Sequence, residues 1–261
     1  MAKKTKPQVK IGITGEGKDY TLYKMNLRET IIGYLIGFAA GCAGAQIMFG
    51  VMIASLIIGL TTGFIAGPLY GKYLQGKQHR LILSQYRDLL DSLSNSFSAG
   101  KNTPNAFIES YNDMKLAHGD KAPITQEVGI ILAGLHSNFT IEDLLKDMAY
   151  RCGIDDMNSF AETFAVSNRL GGNLKKMVTD SKDIINDKIE IEMEIQTTLA
   201  ATRNEINIMS VMPFVIVLMM NLMSEEAITT NNLTNIIVKL IAIGMFAAAY
   251  IIAKKLTAIK V

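Results

Sequence analysis

Residues 31–70 read IIGYLIGFAAGCAGAQIMFGVMIASLIIGLTTGFIAGPLY and contain no Asp, Glu, Lys, Arg or His. As a single helix rising 1.5 Å per residue, this stretch would be about 60 Å long. That is roughly twice the hydrocarbon core of a bilayer, so the block is expected to fold back as two crossings, about 31–49 and 51–70. The turn between them falls at the uncharged Phe49–Gly50. A second apolar block spans 206–253 and is broken by a polar stretch that includes Glu225 and Glu226. It reads as crossings at about 206–223 and 236–253. The expected fold class is all-α: a membrane protein with four transmembrane helices and a cytoplasmic antiparallel helical bundle.

Charge orients the helices. The first 30 residues carry Lys3, Lys4, Lys6, Lys10, Lys18, Lys24 and Arg28, and the C-terminus carries Lys254, Lys255 and Lys260. Lys72, Lys77 and Arg80 follow the first block, while the Phe49–Gly50 turn and the 224–235 break hold no Lys or Arg. Basic flanks stay on the cytoplasmic side. All of them can do so only with four crossings and with both termini and the middle inside. The chain then divides into a basic cytoplasmic tail (1–30), a transmembrane hairpin (31–70), a cytoplasmic domain (72–205), a second hairpin (206–253) and a short cytoplasmic tail (254–261).

The middle segment holds 15 basic and 19 acidic residues. It shows no basic face interleaved with aromatics, so nucleic-acid binding is not expected. Its apolar residues recur at helical spacing between breakers. Helices are expected over about 80–98, from Pro104 after a Thr103 cap to Gly119, over 125–136, from a Thr140–Asp143 capping pair to Gly153, and from an Asp155 cap to Gly171–Gly172. A last helix starts at Asn173 and meets no Gly or Pro before Pro213. The alternating stretch Ile189–Ile195 is a strand signal by itself. Helical sequence surrounds it without a turn, so it is read as helix.

Small residues repeat every fourth position in both early crossings. Gly33, Gly37, Gly41 and Ala45 form one stripe, and Ser55, Gly59, Gly63, Gly67 and Gly71 form the other. Such stripes let another backbone approach closely. The sequence leaves open whether they pack on each other or on a second protein. The third expected crossing is rich in methionine and contains Pro213, tolerable where neighbouring helices re-satisfy the freed carbonyl.

The turns Ser98-Ala99-Gly100-Lys101-Asn102-Thr103-Pro104 and Asn168-Arg169-Leu170-Gly171-Gly172-Asn173-Leu174, followed by a long helix entering an apolar segment near a proline, resemble the type II secretion system F domain family. The resemblance covers about residues 85–222. The order of two crossings, domain, two crossings is similar to the B and C platform proteins of tight-adherence (Tad/Flp) pilus assembly. It implies a membrane platform that couples a cytoplasmic secretion or pilus assembly ATPase to pilin subunits. It also implies pairing with a second F-domain platform protein or with further copies of the chain. Contacts with such partners and with the lipid bilayer are assigned to Lys72, Lys77, Arg80, Arg87, Arg169, Gly171, Gly172 and Asn173. Transmembrane packing is assigned to Gly33, Gly37, Gly41, Gly59, Gly63 and Gly67.

Little else in the chain suggests chemistry. Gly12-Ile-Thr-Gly-Glu-Gly17-Lys18-Asp19 nearly matches a phosphate-binding loop, but Asp19 stands where a hydroxyl would hold Mg²⁺. The stretch is read as a polar tail. His79, His118 and His136 are scattered, and Cys42 and Cys152 are isolated, so neither a metal site nor a disulfide framework is expected. No nucleophile elbow occurs. Acid pairs such as Asp155–Asp156 sit at helix starts, where they favour the dipole. No catalytic residue, cofactor or metal is assigned, and the chain is not expected to be an enzyme. The alternative function is a small transporter or channel subunit. Against it, the first three crossings hold no Asp, Glu, Lys, Arg or His, groups that proton-coupled transport usually needs.

Overall fold

A computed structural model describes residues 10, 12–15, 17–21, 25–50 and 52–223, with single helical positions at 241, 244, 245, 248 and 252. Among the described residues there are seven helices and no strand: α1 (Leu27–Phe49), α2 (Met52–Ser98), α3 (Thr103–His118), α4 (Pro123–His136), α5 (Ile141–Cys152), α6 (Asp155–Arg169) and α7 (Leu174–Met223). The chain divides into two compact units. The helical-domain unit joins the N-terminal segment to Tyr73–Glu190, and the apolar unit joins Met25–Lys72 to the chain from Ile191 onward. Helices α2 and α7 belong to both.

In the apolar unit, α1 begins where the Asn26 N–H donates to Glu29 Oε2 at 2.9 Å, giving a terminal donor a side-chain partner. It ends at Gly50, whose φ of 64° closes the last turn through an N–H bond to the Gln46 carbonyl. Met52 restarts the helix at once, so α1 and α2 form an antiparallel hairpin. Leu27–Met48 and Met52–Ser98 are both long and apolar enough to cross a membrane.

The two small-residue stripes face each other. A Cβ at Gly37 would overlap the Ala66 methyl and lie 3.0 Å from the Gly63 Cα. One at Gly41 would overlap the Thr62 hydroxyl and lie 3.1 Å from the Gly59 Cα. Gly33 abuts Tyr70, and Gly67 abuts the Tyr34 ring. Cross-helix hydrogen bonds run from Thr62 Oγ1 to the Gly37 carbonyl (3.1 Å) and from Cys42 Sγ to the Ser55 carbonyl (3.3 Å). The third expected crossing, 206–223, is the helical end of α7, and its Phe214 ring would lie 3.3 Å from a Cβ at Gly44. The fourth, 236–253, lies outside the described residues except at the isolated helical positions Ile241, Gly244, Met245, Ala248 and Ile252.

The helical-domain unit packs the later part of α2, α3 to α6 and the first part of α7 around an aromatic centre. Tyr86 meets Phe160 edge to face (5.9 Å between centroids), and Phe107 meets Phe164 likewise (6.3 Å), a favoured geometry for aromatic pairs. Leu89, Leu90, Leu93, Val178 and Ile185 bury the flanking α2 and α7 faces. Where α2 meets α3, small serines let the helices approach. Ser92 Oγ bonds Ser110 Oγ (3.0 Å) and Asp113 Oδ2 (2.5 Å), and Ser96 Oγ donates to Glu109 (2.6 Å).

Four details differ from the sequence reading. The helix expected to start at Arg80 begins 28 residues earlier and is one piece with the second crossing; the onset of charge at Lys72 changes the solvent a helix prefers, not its backbone. Asn102, not Thr103, caps α3, its Oδ1 accepting the Asn105 N–H at 3.1 Å. Ile154 precedes α6, leaving Asp155 and Asp156 in its first turn. The N-terminal stretch is not a free tail, because its described residues pack on α5. The Thr140 cap and the helical reading of 189–195 agree with the structure.

Candidate functional site

The turn between α6 and α7 gathers four of the sequence-assigned contact residues. Arg169, Leu170, Gly171, Gly172 and Asn173 are all exposed. Gly171 takes a φ of 68°, the Gly172 N–H returns to the Ser167 carbonyl at 2.7 Å, and Asn173 Oδ1 receives the Lys176 N–H. This closes α6 and caps α7 within three residues, leaving Arg169 and the 79 % exposed Leu170 outward. Beside the turn, an open groove of about 610 Å³ runs between α6 and α7. Ser159, Thr163, Ser167 and Asp180 line its rim, and Phe160 and Met177 its floor.

Lys72, Lys77 and Arg80 are exposed along α2, but Lys72 belongs to the apolar unit and the others to the helical-domain unit. Arg87 is half-buried. Its Nη2 and Nε both reach Asp88 Oδ1, at 2.8 and 3.0 Å, so an adjacent carboxylate offsets its charge.

The densest charge cluster of the helical-domain unit was not singled out from the sequence. Arg151 on α5 is 1 % exposed. Its Nη1 donates to Glu127 Oε1 on α4 (2.7 Å), Nη2 lies 2.6 Å from Glu127 Oε2, and Nε donates to Asp147 Oδ2 (2.9 Å). One guanidinium thus serves two buried carboxylates. Burial pushes the Glu127 carboxyl above its ordinary value; Arg151 and the Tyr20 hydroxyl oppose the rise, and the Asp147 charge adds to it. Burial also pushes the neighbouring Cys152 thiol up to about 12 and raises the Tyr20 phenol. One signal was available. Arg151 lies one turn after Asp147, between Met148 and Cys152 on the apolar side of an amphipathic helix.

Across this cluster lies the stretch that resembles a phosphate loop. The Ile13 N–H donates to Asp147 Oδ1 (2.9 Å), the Tyr20 N–H to the Arg151 carbonyl (3.0 Å), and Lys10 Nζ to the Tyr150 carbonyl (2.6 Å). Lys10 Nζ also sits 3.9 Å above the Tyr150 ring. Asp19 closes the loop on itself by accepting from the N–H groups of Lys10 and Thr21 and from the Thr21 hydroxyl. Burial works against the Asp19 charge, but these bonds outweigh it and hold its carboxyl below the ordinary value. A Cβ at Gly17 would overlap the Arg151 guanidinium, and Gly17 has a φ of 110°. Gly17 therefore serves close packing on an arginine, whereas a Cβ at Gly15 would meet nothing within 4 Å. Among the described residues of the stretch, the Ile13 N–H is engaged by Asp147 and the Gly15 N–H by the Gly12 carbonyl.

Among the described residues no group of three or more His, Cys, Asp or Glu is arranged to hold a metal ion. No family model matches the chain, and neither a curated protein nor a solved structure does. The resemblance to the F domain family thus rests on the turns and segment order of this sequence alone.

Proposed function

We propose that this chain is a non-enzymatic platform protein of the cell membrane, serving a type IV (Tad/Flp-like) pilus or a type II-like secretion system. In this reading it crosses the membrane four times and keeps both termini and the helical-domain unit in the cytoplasm. It couples a cytoplasmic assembly ATPase to pilin subunits, together with a second platform protein or further copies of itself. The observation that carries the reading is that α2 and α7 each run without a break from an apolar segment into the helical-domain unit. A continuous helix is a direct mechanical link between a partner bound to a soluble domain and one bound in the bilayer. The exposed Arg169–Asn173 turn is the favoured ATPase contact, since it is charged, irregular and free of core packing.

The deciding experiment is purification of the tagged chain from native membranes in mild detergent, with co-purifying proteins identified by mass spectrometry. A secretion-type ATPase with a pilin or a second F-domain protein supports the platform. A substrate-binding protein or a transport ATPase in their place supports the transporter alternative, which a liposome flux assay would then test. Within the platform reading, Arg169→Glu weakens capture of the ATPase; unchanged capture removes that contact.

A further inference from the structure

The loop over α5 has no part in the proposed function, and the inference drawn from it is independent of that reading. We propose that the described residues 10, 12–15 and 17–21 form a releasable strap that roofs the buried Arg151–Glu127–Asp147 cluster and opens while the helices beneath stay folded.

The strap is held differently from the rest of its unit. The helices bury continuous apolar faces around Tyr86, Phe160 and Phe164. Among the described strap residues, Tyr20 is the one buried hydrophobic side chain, and Ile13 is 54 % exposed. The other attachments are the Lys10 ammonium over the Tyr150 ring and hydrogen bonds: Ile13 to Asp147, Tyr20 to Arg151, Lys10 to Tyr150, and Gln75 Nε2 to the Thr21 carbonyl (2.7 Å). Each hydrogen bond exchanges with a bond to water on release, so its net worth is far below its gross strength, the bonds that Asp147 accepts and Lys10 donates being the stronger because a charged group takes part. Segments with few buried apolar contacts are the ones that open locally. The Asp19 bonds to Lys10 and Thr21 lie within the strap, so lifting it does not break them.

What lies beneath also favours opening. Two carboxylates and one guanidinium have been taken out of water, at a desolvation cost that their pairing only partly offsets. When the strap lifts, Gly17 leaves the face of the Arg151 guanidinium and the cluster regains hydration. That gain offsets part of the loss of the Tyr20 contact. Cys152, next in sequence to Arg151 and 0 % exposed, provides a reporter. The strap backbone runs alongside it, with the Tyr20 N–H on the Arg151 carbonyl and the Thr21 methyl against Gly153.

The test uses the full chain in detergent carrying Cys42→Ala, which leaves Cys152 as the sole thiol. Hydrogen exchange of the Ile13 and Tyr20 amides and maleimide labelling of Cys152 are compared with exchange of the Met148 amide inside α5. The expected result is strap exchange and Cys152 labelling about tenfold or more faster than global opening permits, insensitive to low denaturant. Gly17→Ala should speed labelling by a further factor of about ten, with helical content unchanged, because the added methyl meets both a positive φ and the guanidinium. Exchange and labelling that occur only at the Met148 rate overturn the proposal. If Gly17→Ala does not fold, the wild-type comparison alone decides.

Discussion

The Thr62 hydroxyl on α2 reaches the Gly37 carbonyl on α1 at 3.1 Å, a contact possible only because Gly37, Gly41, Gly59 and Gly63 carry no side chains between the two backbones. The stripes that the sequence left without a partner are partners of each other. Gly37→Leu or Gly63→Leu must therefore separate α1 from α2. Loss of interhelical packing and of a hydrogen bond worth about 0.6 kcal/mol in a membrane setting should lower the apparent melting temperature in detergent by several degrees. Far-UV dichroism against temperature checks this. Wild-type melting in both variants would mean that the hairpin does not depend on close approach.

The cluster at Arg151 makes a sharper prediction. Arg151→Met strands Glu127 and Asp147 without their cation, and breaking a buried pair in this way costs about 3–5 kcal/mol at neutral pH. The Glu127 carboxyl, raised by burial and no longer opposed by Arg151, then has a folded value further above its unfolded one. Stability is retained below the ordinary carboxylate range near pH 4 and lost as pH rises through the folded value. The wild-type Glu127, already raised by burial, has the same sign with smaller amplitude. Urea unfolding at about pH 4.5 and 7.5 should show the variant's deficit shrinking at the lower pH. A deficit equal at both would assign the cost to lost packing rather than to stranded charge.

These two sites show what the sequence could and could not reveal. Helices with apolar periodicity and Gly or Pro punctuation were readable because the signal is local: Gly100, Gly153 and Gly171 mark real ends, and Thr140 is a real cap. The small-residue stripes were equally plain. Their partner was not, since a stripe records close approach without saying to what. The Ile13–Asp147 bond spans 134 positions and leaves no periodic trace, so the strap looked like a polar tail. The continuity of α2 leaves no mark in the sequence, because Lys72 signals a change of solvent and not of backbone.

Asp19 should make the strap acid-sensitive in the opposite sense to the cluster. Its folded carboxyl lies below the ordinary value because three hydrogen bonds to its charged form outweigh burial. The stability it contributes is therefore present above about pH 3.9 and lost as pH falls through the folded value. The Thr21 amide should lose hydrogen-exchange protection in that acid window. In Asp19→Asn, protection should be weaker at neutral pH and flat through the window. A wild-type profile that is also flat would remove Asp19 as the group that holds the strap's own turn together.

Asp147 separates the strap from the ion cluster, because its two oxygens have different partners. Oδ2 accepts from Arg151 Nε and Oδ1 from the Ile13 N–H, both at 2.9 Å. Glu127 touches the same guanidinium but makes no bond to Ile13. Asp147→Asn keeps one carbonyl acceptor and removes the charge, weakening two bonds to a charged group that are worth about 1.5–3 kcal/mol each. It should accelerate exchange of the Ile13 amide while lowering overall stability. Glu127→Gln should lower overall stability and leave the Ile13 amide protected relative to the core. Equal effects of the two substitutions on Ile13 would mean that this attachment senses the cluster as a whole; the unequal effect expected here places the Ile13 attachment on a single oxygen of Asp147.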